Sequence, residues 1–115
     1  MTILQILKIV AAVGTIATGF VSLFWPLSVT GFTGLSAPGP RGISEIRAIL
    51  GGLFIGVGVA PFILNNNAAA YRMMGIMYLA IAVARAASIV IDKSIEQSNI
   101  ISLVVEIVFG AILVL

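Results

Sequence analysis

The stretch that decides the fold is ISEIRAILGGLFIGVGVAPFIL, residues 43–64. It carries no charged residue after Arg47, and it ends at the polar run Asn65-Asn66-Asn67. A helix needs about 20 mostly apolar residues to cross the hydrocarbon core of a bilayer. Residues 43–64 meet that length, so the sequence predicts a membrane-spanning helix here.

Three further stretches have the same apolar character and length. They run over about residues 3–24, 69–91 and 99–115. The first ends at Trp25-Pro26, where proline stops a helix and tryptophan suits the headgroup boundary. The stretch over residues 69–91 ends at the charged pair Asp92-Lys93. The predicted fold is therefore all-α, an integral membrane bundle of four transmembrane helices.

The composition indicates the same class of protein. Of the 115 residues, 61% are hydrophobic and 9% are charged, and the mean hydropathy is +1.24. Ordinary soluble domains are roughly 45–50% apolar and about 25% charged, so a free cytosolic enzyme is excluded. A net charge of +2 is too small for a surface that binds nucleic-acid phosphates. Because the chain contains neither Cys nor His, we predict no metal site and no cofactor.

The connections predict how the helices are joined within one domain, residues 1–115. Tight polar turns at 65–67 and 92–98 favour antiparallel neighbours. Residues 27–42 contain repeated Gly and Pro, which forbid a continuous helix. Their apolar side chains predict a loop in the membrane interface, and we favour a structural lid over a ligand gate. An even number of spans places both termini on one side of the membrane, which we expect to be the cytoplasmic side.

Small residues recur at helical spacing on three of the four predicted helices. In lipid, helices associate by close approach of their backbones, for which small side chains leave room. The predicted packing positions are Ala48, Gly52, Gly56 and Ala60 on the second helix, Gly14 and Thr18 on the first, and Ala80 and Ala84 on the third. Gly51 and Gly58 widen the groove on the second helix. The pattern leaves open whether the packing partner lies in this chain or in a second protein.

Ionisable residues inside spans are costly and mark candidate functional sites. Four qualify, namely Glu45, Arg47, Arg85 and Glu106. At about 1.5 Å per residue, Arg85 lies roughly 9 Å and Glu106 roughly 11 Å inside the same membrane face, so they form the best pair. Either Glu45 toward Arg85 or Arg47 toward Glu106 would complete the set.

The charge cluster has two interpretations. It is either an ion-pair network that fixes the helix register or a polar pocket for a lipid headgroup, a quinone carbonyl or a proton. We predict no catalytic residue, because no nucleophile stands beside a base.

The residues Glu45-Ile46-Arg47, followed by Gly51-Gly52 and Gly56, and then by Arg85 and Glu106, carry a family resemblance. Over about residues 43–115 the chain resembles small four-helix bacterial membrane proteins of unknown function in the DoxX-like group. That resemblance implies a four-helix bundle in the bacterial inner membrane and brings no established reaction. Small multidrug transporters have a membrane-embedded Glu in their first helix, whereas the first helix here has Lys8 and no acid.

Two functions follow as hypotheses. The first is a non-enzymatic accessory subunit that packs through its small-residue helix faces within a larger bacterial membrane complex of respiratory or photosynthetic type. Its partners would be the bilayer and other membrane subunits, with no nucleic acid. The alternative is a binder or carrier of a small lipophilic molecule, a lipid or a quinone, that uses the charge cluster. An intramembrane enzyme remains an option only if a metal or cofactor is found.

Overall fold

The chain folds as helices joined by short connections, in a computed structural model that describes residues 1–115. Four helices are long and apolar enough to cross a membrane, which confirms the predicted all-α, four-span fold. We name them the first to fourth spans, and they cover Ile3–Phe24, Pro40–Ile63, Ala68–Ile91 and Gln97–Val114.

The second span begins at Pro40, three residues before the predicted start at residue 43. Proline has a backbone angle that suits the first position of a helix, and Gly39 precedes it in an extended conformation. The predicted loop over 27–42 also contains a short helix, Ser28–Thr33, which ends at Gly34 with φ 74°. The Gly- and Pro-rich segment therefore interrupts the helix, as predicted, but less of it is irregular than the sequence suggested.

A π-helical segment, Ile46–Leu53, lies inside the second span. It is flanked by α-helix at Pro40–Glu45 and at Phe54–Ile63. In a π-helix the hydrogen bonds join residues five apart, so residues at that spacing lie on one face. Ile46 and Gly51 are five apart, and both are buried.

The chain divides into two compact units, Ala12–Asn65 and Met1–Ala11 with Asn66–Leu115. Within Ala12–Asn65, the first and second spans pack antiparallel through glycines. A Cβ atom on Gly19 would lie 2.7 Å from the carbonyl oxygen of Gly51, and one on Gly58 would lie 3.0 Å from that of Ala12. The two backbones therefore approach more closely than any other residue would allow.

In the other unit, the third and fourth spans pack antiparallel along their lengths. A Cβ atom on Gly75 would lie 2.8 Å from the backbone nitrogen of Val114. Tyr78 and Phe109 pack edge to face, with ring centroids 5.5 Å apart.

The turns around the third span use polar residues in left-handed conformations. Asn65 and Asn66 have φ 58° and 57°, and the side chain of Asn67 accepts a hydrogen bond of 2.8 Å from the backbone nitrogen of Ala69. Such a side-chain cap satisfies one of the free N–H groups at a helix start. Just after the span ends, Lys93 has φ 52°.

Candidate functional site

Arg85 and Glu106 form a bidentate ion pair between the third and fourth spans. Nε of Arg85 donates to Oε1 of Glu106 and Nη2 donates to Oε2, both at 2.7 Å. The side chain of Glu106 is 9% exposed and that of Arg85 is 31% exposed. The structure thus brings together the two residues that the sequence predicted to pair, because of their similar depths and opposite charges.

The ion pair continues into a polar network at the turn between the same two spans. Nη1 of Arg85 donates to Oδ1 of Asn99 at 2.7 Å. Nδ2 of Asn99 in turn donates to the carbonyl oxygen of Ser94 at 2.9 Å, and Oγ of Ser94 donates to that of Ser88 at 3.3 Å. No buried side-chain nitrogen or oxygen in the structure lacks a partner. The buried polar atoms of this network therefore all have hydrogen-bond partners, and the network links the third and fourth spans.

Sequence reasoning did not include Asn99 in this network. Asn99 and Glu106 are seven residues apart, which places them on one face of a helix, two turns from each other. That spacing was the signal that could have identified Asn99 as a second acceptor for Arg85.

Glu45 and Arg47 have partners of their own within the unit Ala12–Asn65. Nη1 of Arg41 donates to Oε1 of Glu45, one helical turn later, and both side chains are exposed. Nη1 of Arg47 donates to the carbonyl oxygen of Leu23 at 2.8 Å. Leu23 stands at the end of the first span, where carbonyl groups lack helical partners, so Arg47 caps that helix.

Most of the predicted packing positions on the second span are open rather than packed within the chain. Ala48, Gly52 and Gly56 are exposed and Ala60 is half-buried. A Cβ atom on Gly56 would meet no atom within 4 Å, and one on Gly52 would meet only its own helix, at 3.8 Å. We call these four residues the small-residue face. The contact with the first span is made instead by Gly51 and Gly58, to which the sequence pattern assigned a secondary role.

The predicted positions on the first and third spans are also largely open. Gly14 is half-buried, and Thr18, Ala80 and Ala84 are exposed. The glycines that pack the third and fourth spans, Gly75 and Gly110, were not singled out from the sequence. They are single glycines rather than repeats, so no stripe marked them.

These features define a class, a multi-pass membrane protein with four apolar helices and an ion pair between the third and fourth of them. The chain belongs to a family of unknown function, DUF4345, whose model matches residues 3–115. No curated protein and no solved structure matches the chain. The family match includes the first span, and a relation to the DoxX-like group stays a prediction.

Proposed function

We propose that this protein is a non-enzymatic accessory subunit of a larger membrane complex, which it joins through the small-residue face. The observation that carries the proposal is the exposure of Gly52 and Gly56 on a helix in which two further glycines, Gly51 and Gly58, already contact the first span. The second span therefore carries small residues on two faces, one that packs within the chain and one that is free.

A free glycine face in lipid favours helix association. Lipid tails are as apolar as side chains, so spans associate by van der Waals contact and close backbone approach. Gly52 and Gly56 are four residues apart and share one helix face, in the small-xxx-small arrangement typical of such contacts. Another helix could approach this face as closely as the second span approaches the first at Gly19.

The charged groups support a structural role over a catalytic one. Arg85 and Glu106 hold each other, and Arg47 holds a helix end. By the DoxX-like resemblance, the protein would lie in a bacterial inner membrane. The complex that it joins would be of respiratory or photosynthetic type. Both termini would face the cytoplasm.

The decisive test is the apparent mass of this 12.0 kDa chain after native membranes are extracted in mild detergent. We expect it to migrate with a much larger complex, and we expect Gly56→Leu to abolish that migration while the protein stays in the membrane. Ala111→Leu is the matched control, because it adds similar bulk at an exposed position on the fourth span. Migration of the native chain as a monomer or small homo-oligomer, or an unchanged complex with Gly56→Leu, would sink the proposal.

A second candidate function, binding or carrying a small lipophilic molecule, is favoured by a groove beside Arg85. The groove has a volume of about 290 Å³, and Ile81, Ala84, Ser88 and Asn99 also line it. Arginine has five N–H groups, of which Glu106 and Asn99 engage three. The remaining two could donate to the carbonyl oxygen of a quinone.

Titration of detergent-solubilised protein with a short-chain quinone tests this second candidate. Ala84→Leu would fill the groove without touching the ion pair, and we expect it to weaken quinone binding while the helical content is unchanged. Ala111→Leu again serves as the control. Equal binding by the native chain and Ala84→Leu would argue against the groove as the site.

A further inference from the structure

Lys8 is a charged residue of the first span that the ion pairs leave out. It lies five residues after Ile3, which is roughly 8 Å along the helix. Its side chain is half-buried, and it makes no hydrogen bond and no ion pair within the chain. A half-buried cation without a partner near the start of a span is costly, so an anion beside it would be favoured.

A cavity opens beside Lys8, between the start of the first span and the start of the third. Its volume is about 220 Å³. The residues that line it include Gln5, Lys8, Ile9, Asn66, Ala68 and Tyr71. All of them belong to the unit of Met1–Ala11 and Asn66–Leu115.

Two amide side chains at this cavity, those of Gln5 and Asn66, already use their oxygen atoms as hydrogen-bond acceptors. Oε1 of Gln5 accepts from the backbone nitrogen of Thr2 at 3.0 Å, and Oδ1 of Asn66 accepts from the hydroxyl of Tyr71 at 2.8 Å. The amide NH₂ groups of Gln5 and Asn66 therefore remain as donors, together with the ammonium group of Lys8. Three donors without a carboxylate form a site for oxygen atoms that carry negative charge.

The charge distribution along this unit agrees with an anion site at this end. Its carboxylates, Asp92, Glu96 and Glu106, lie at the end of the third span and in the first half of the fourth. The cavity lies at the opposite end of the third span, where Arg72 adds a further cation. No acidic side chain of the unit competes for Lys8.

The depth of the cavity selects the kind of anion. Its polar wall lies near the starts of the first and third spans, where a helix that crosses a bilayer is expected to meet the headgroups, and Ile9 and Ala68 supply an apolar wall beside it. Basic pockets between spans are suited to anionic lipid headgroups. We propose that this cavity binds the phosphate of an anionic phospholipid through Lys8, Gln5 and Asn66. This site is independent of the small-residue face and of the subunit function.

The test is retention of phosphatidylglycerol by the purified full chain. The chain is reconstituted in bilayers of equal parts phosphatidylcholine and phosphatidylglycerol, extracted in mild detergent, and its bound lipid is measured by native mass spectrometry. We expect phosphatidylglycerol to be enriched over phosphatidylcholine and Lys8→Gln to reduce that enrichment about fivefold, the effect of one cation near the membrane surface. Lys8→Arg should retain it. Lys93→Gln is the matched control, because it removes an exposed cation at the other end of the unit.

A second variant and a second probe complete the test. Gln5→Met keeps the cation and removes one donor, so it should lower the enrichment by a smaller factor and serves if Lys8→Gln does not fold. Inorganic phosphate alone should not displace the lipid. Equal enrichment in the native chain and both variants, or displacement by inorganic phosphate at millimolar concentration, would overturn the proposal.

Discussion

Two parallel hydrogen bonds of 2.7 Å join Arg85 on the third span to Glu106 on the fourth. A slide of one helix past the other by one residue, about 1.5 Å, would lengthen both bonds, so the pair favours the present helix register. The two members are unequally placed, because Glu106 is buried whereas nearly a third of Arg85 is exposed. Because the two side chains differ in exposure, removal of one is expected to destabilise the protein more than removal of the other.

We predict that Arg85→Leu destabilises the protein more than Glu106→Leu. Loss of Arg85 leaves a buried carboxylate unpaired, and breaking a buried pair in this way costs about 3–5 kcal/mol. Loss of Glu106 leaves a partly exposed guanidinium that can extend toward water. Thermal unfolding in detergent micelles, followed by circular dichroism, measures the difference.

The double variant Arg85→Leu/Glu106→Leu is the control for this prediction. It removes both charges and should recover most of the stability that Arg85→Leu loses. A double variant as unstable as Arg85→Leu would show that the pair does not act as a unit.

The loss of stability on substitution of a packed glycine should depend on how rigid the atoms are that the new Cβ atom meets. On Gly75 it would lie 2.8 Å from a backbone nitrogen, whereas on Gly110 the nearest atoms belong to the flexible side chain of Leu79. We therefore expect Gly75→Ala to cost about 1–3 kcal/mol and Gly110→Ala less. Gly56→Ala meets nothing and should stabilise the helix by up to about 1 kcal/mol. Chemical unfolding of the three variants in mixed micelles would rank them, and a reversed order would contradict the packing.

Arg47→Gln should have a small effect on stability, about 1 kcal/mol. The change removes one charge-assisted hydrogen bond to the carbonyl oxygen of Leu23, which lies at the end of the first span, where water at the membrane interface can replace it. Amide hydrogen exchange should show faster exchange confined to the last turn of the first span. Uniformly faster exchange over the span would indicate a larger role for Arg47 than that of a cap.

Lys93→Gly should stabilise the turn after the third span. Lys93 has φ 52°, and the backbone nitrogen of Ser94 donates to the carbonyl oxygen of Ile89, as in a Schellman motif. A left-handed conformation costs an L-residue roughly 1–2 kcal/mol, and glycine does not bear that cost. We expect the midpoint of thermal unfolding to rise in Lys93→Gly and not to rise in Lys93→Ala.

The hydropathy pattern predicted the four spans, and the estimated depths of the charged residues predicted the Arg85–Glu106 pair. Four apolar stretches of sufficient length became four spans, because a helix in lipid must satisfy its own backbone. Arg85 and Glu106 lie at matching depths on consecutive helices, and opposite charges inside a membrane have few other partners. The sequence therefore contained enough information to pair them.

The partner of Glu45 depended on where the second span begins. A start at residue 43 placed Arg41 in the predicted loop over residues 27–42. The helix begins at Pro40, so Arg41 and Glu45 stand four residues apart on one helix and pair across a single turn. An error of three residues in a helix boundary thus changed an expected contact between helices into a local one.

The choice between the glycine faces of the second span could not be made from residue type. Gly51 and Gly58 repeat at a helical interval, as do Gly52 and Gly56, and both sets leave room for another backbone. In water, burial of apolar surface would have separated an inner face from an outer one, but lipid removes that distinction. Only the side chains of the first span decide which face it meets.

The π-helical segment Ile46–Leu53 has a consequence for how the second span tolerates changes in length. A turn closed between residues five apart holds one residue more than an α-helical turn. Deletion of one residue from this segment could therefore restore regular α-helix and leave the flanking segments in their present orientation. The same deletion within Phe54–Ile63 would rotate the following residues by about 100° and turn Gly58 or its neighbours away from the first span. Homologous chains that differ in length by one residue are expected to place that difference at Ile46–Leu53, where the helix already accommodates an insertion.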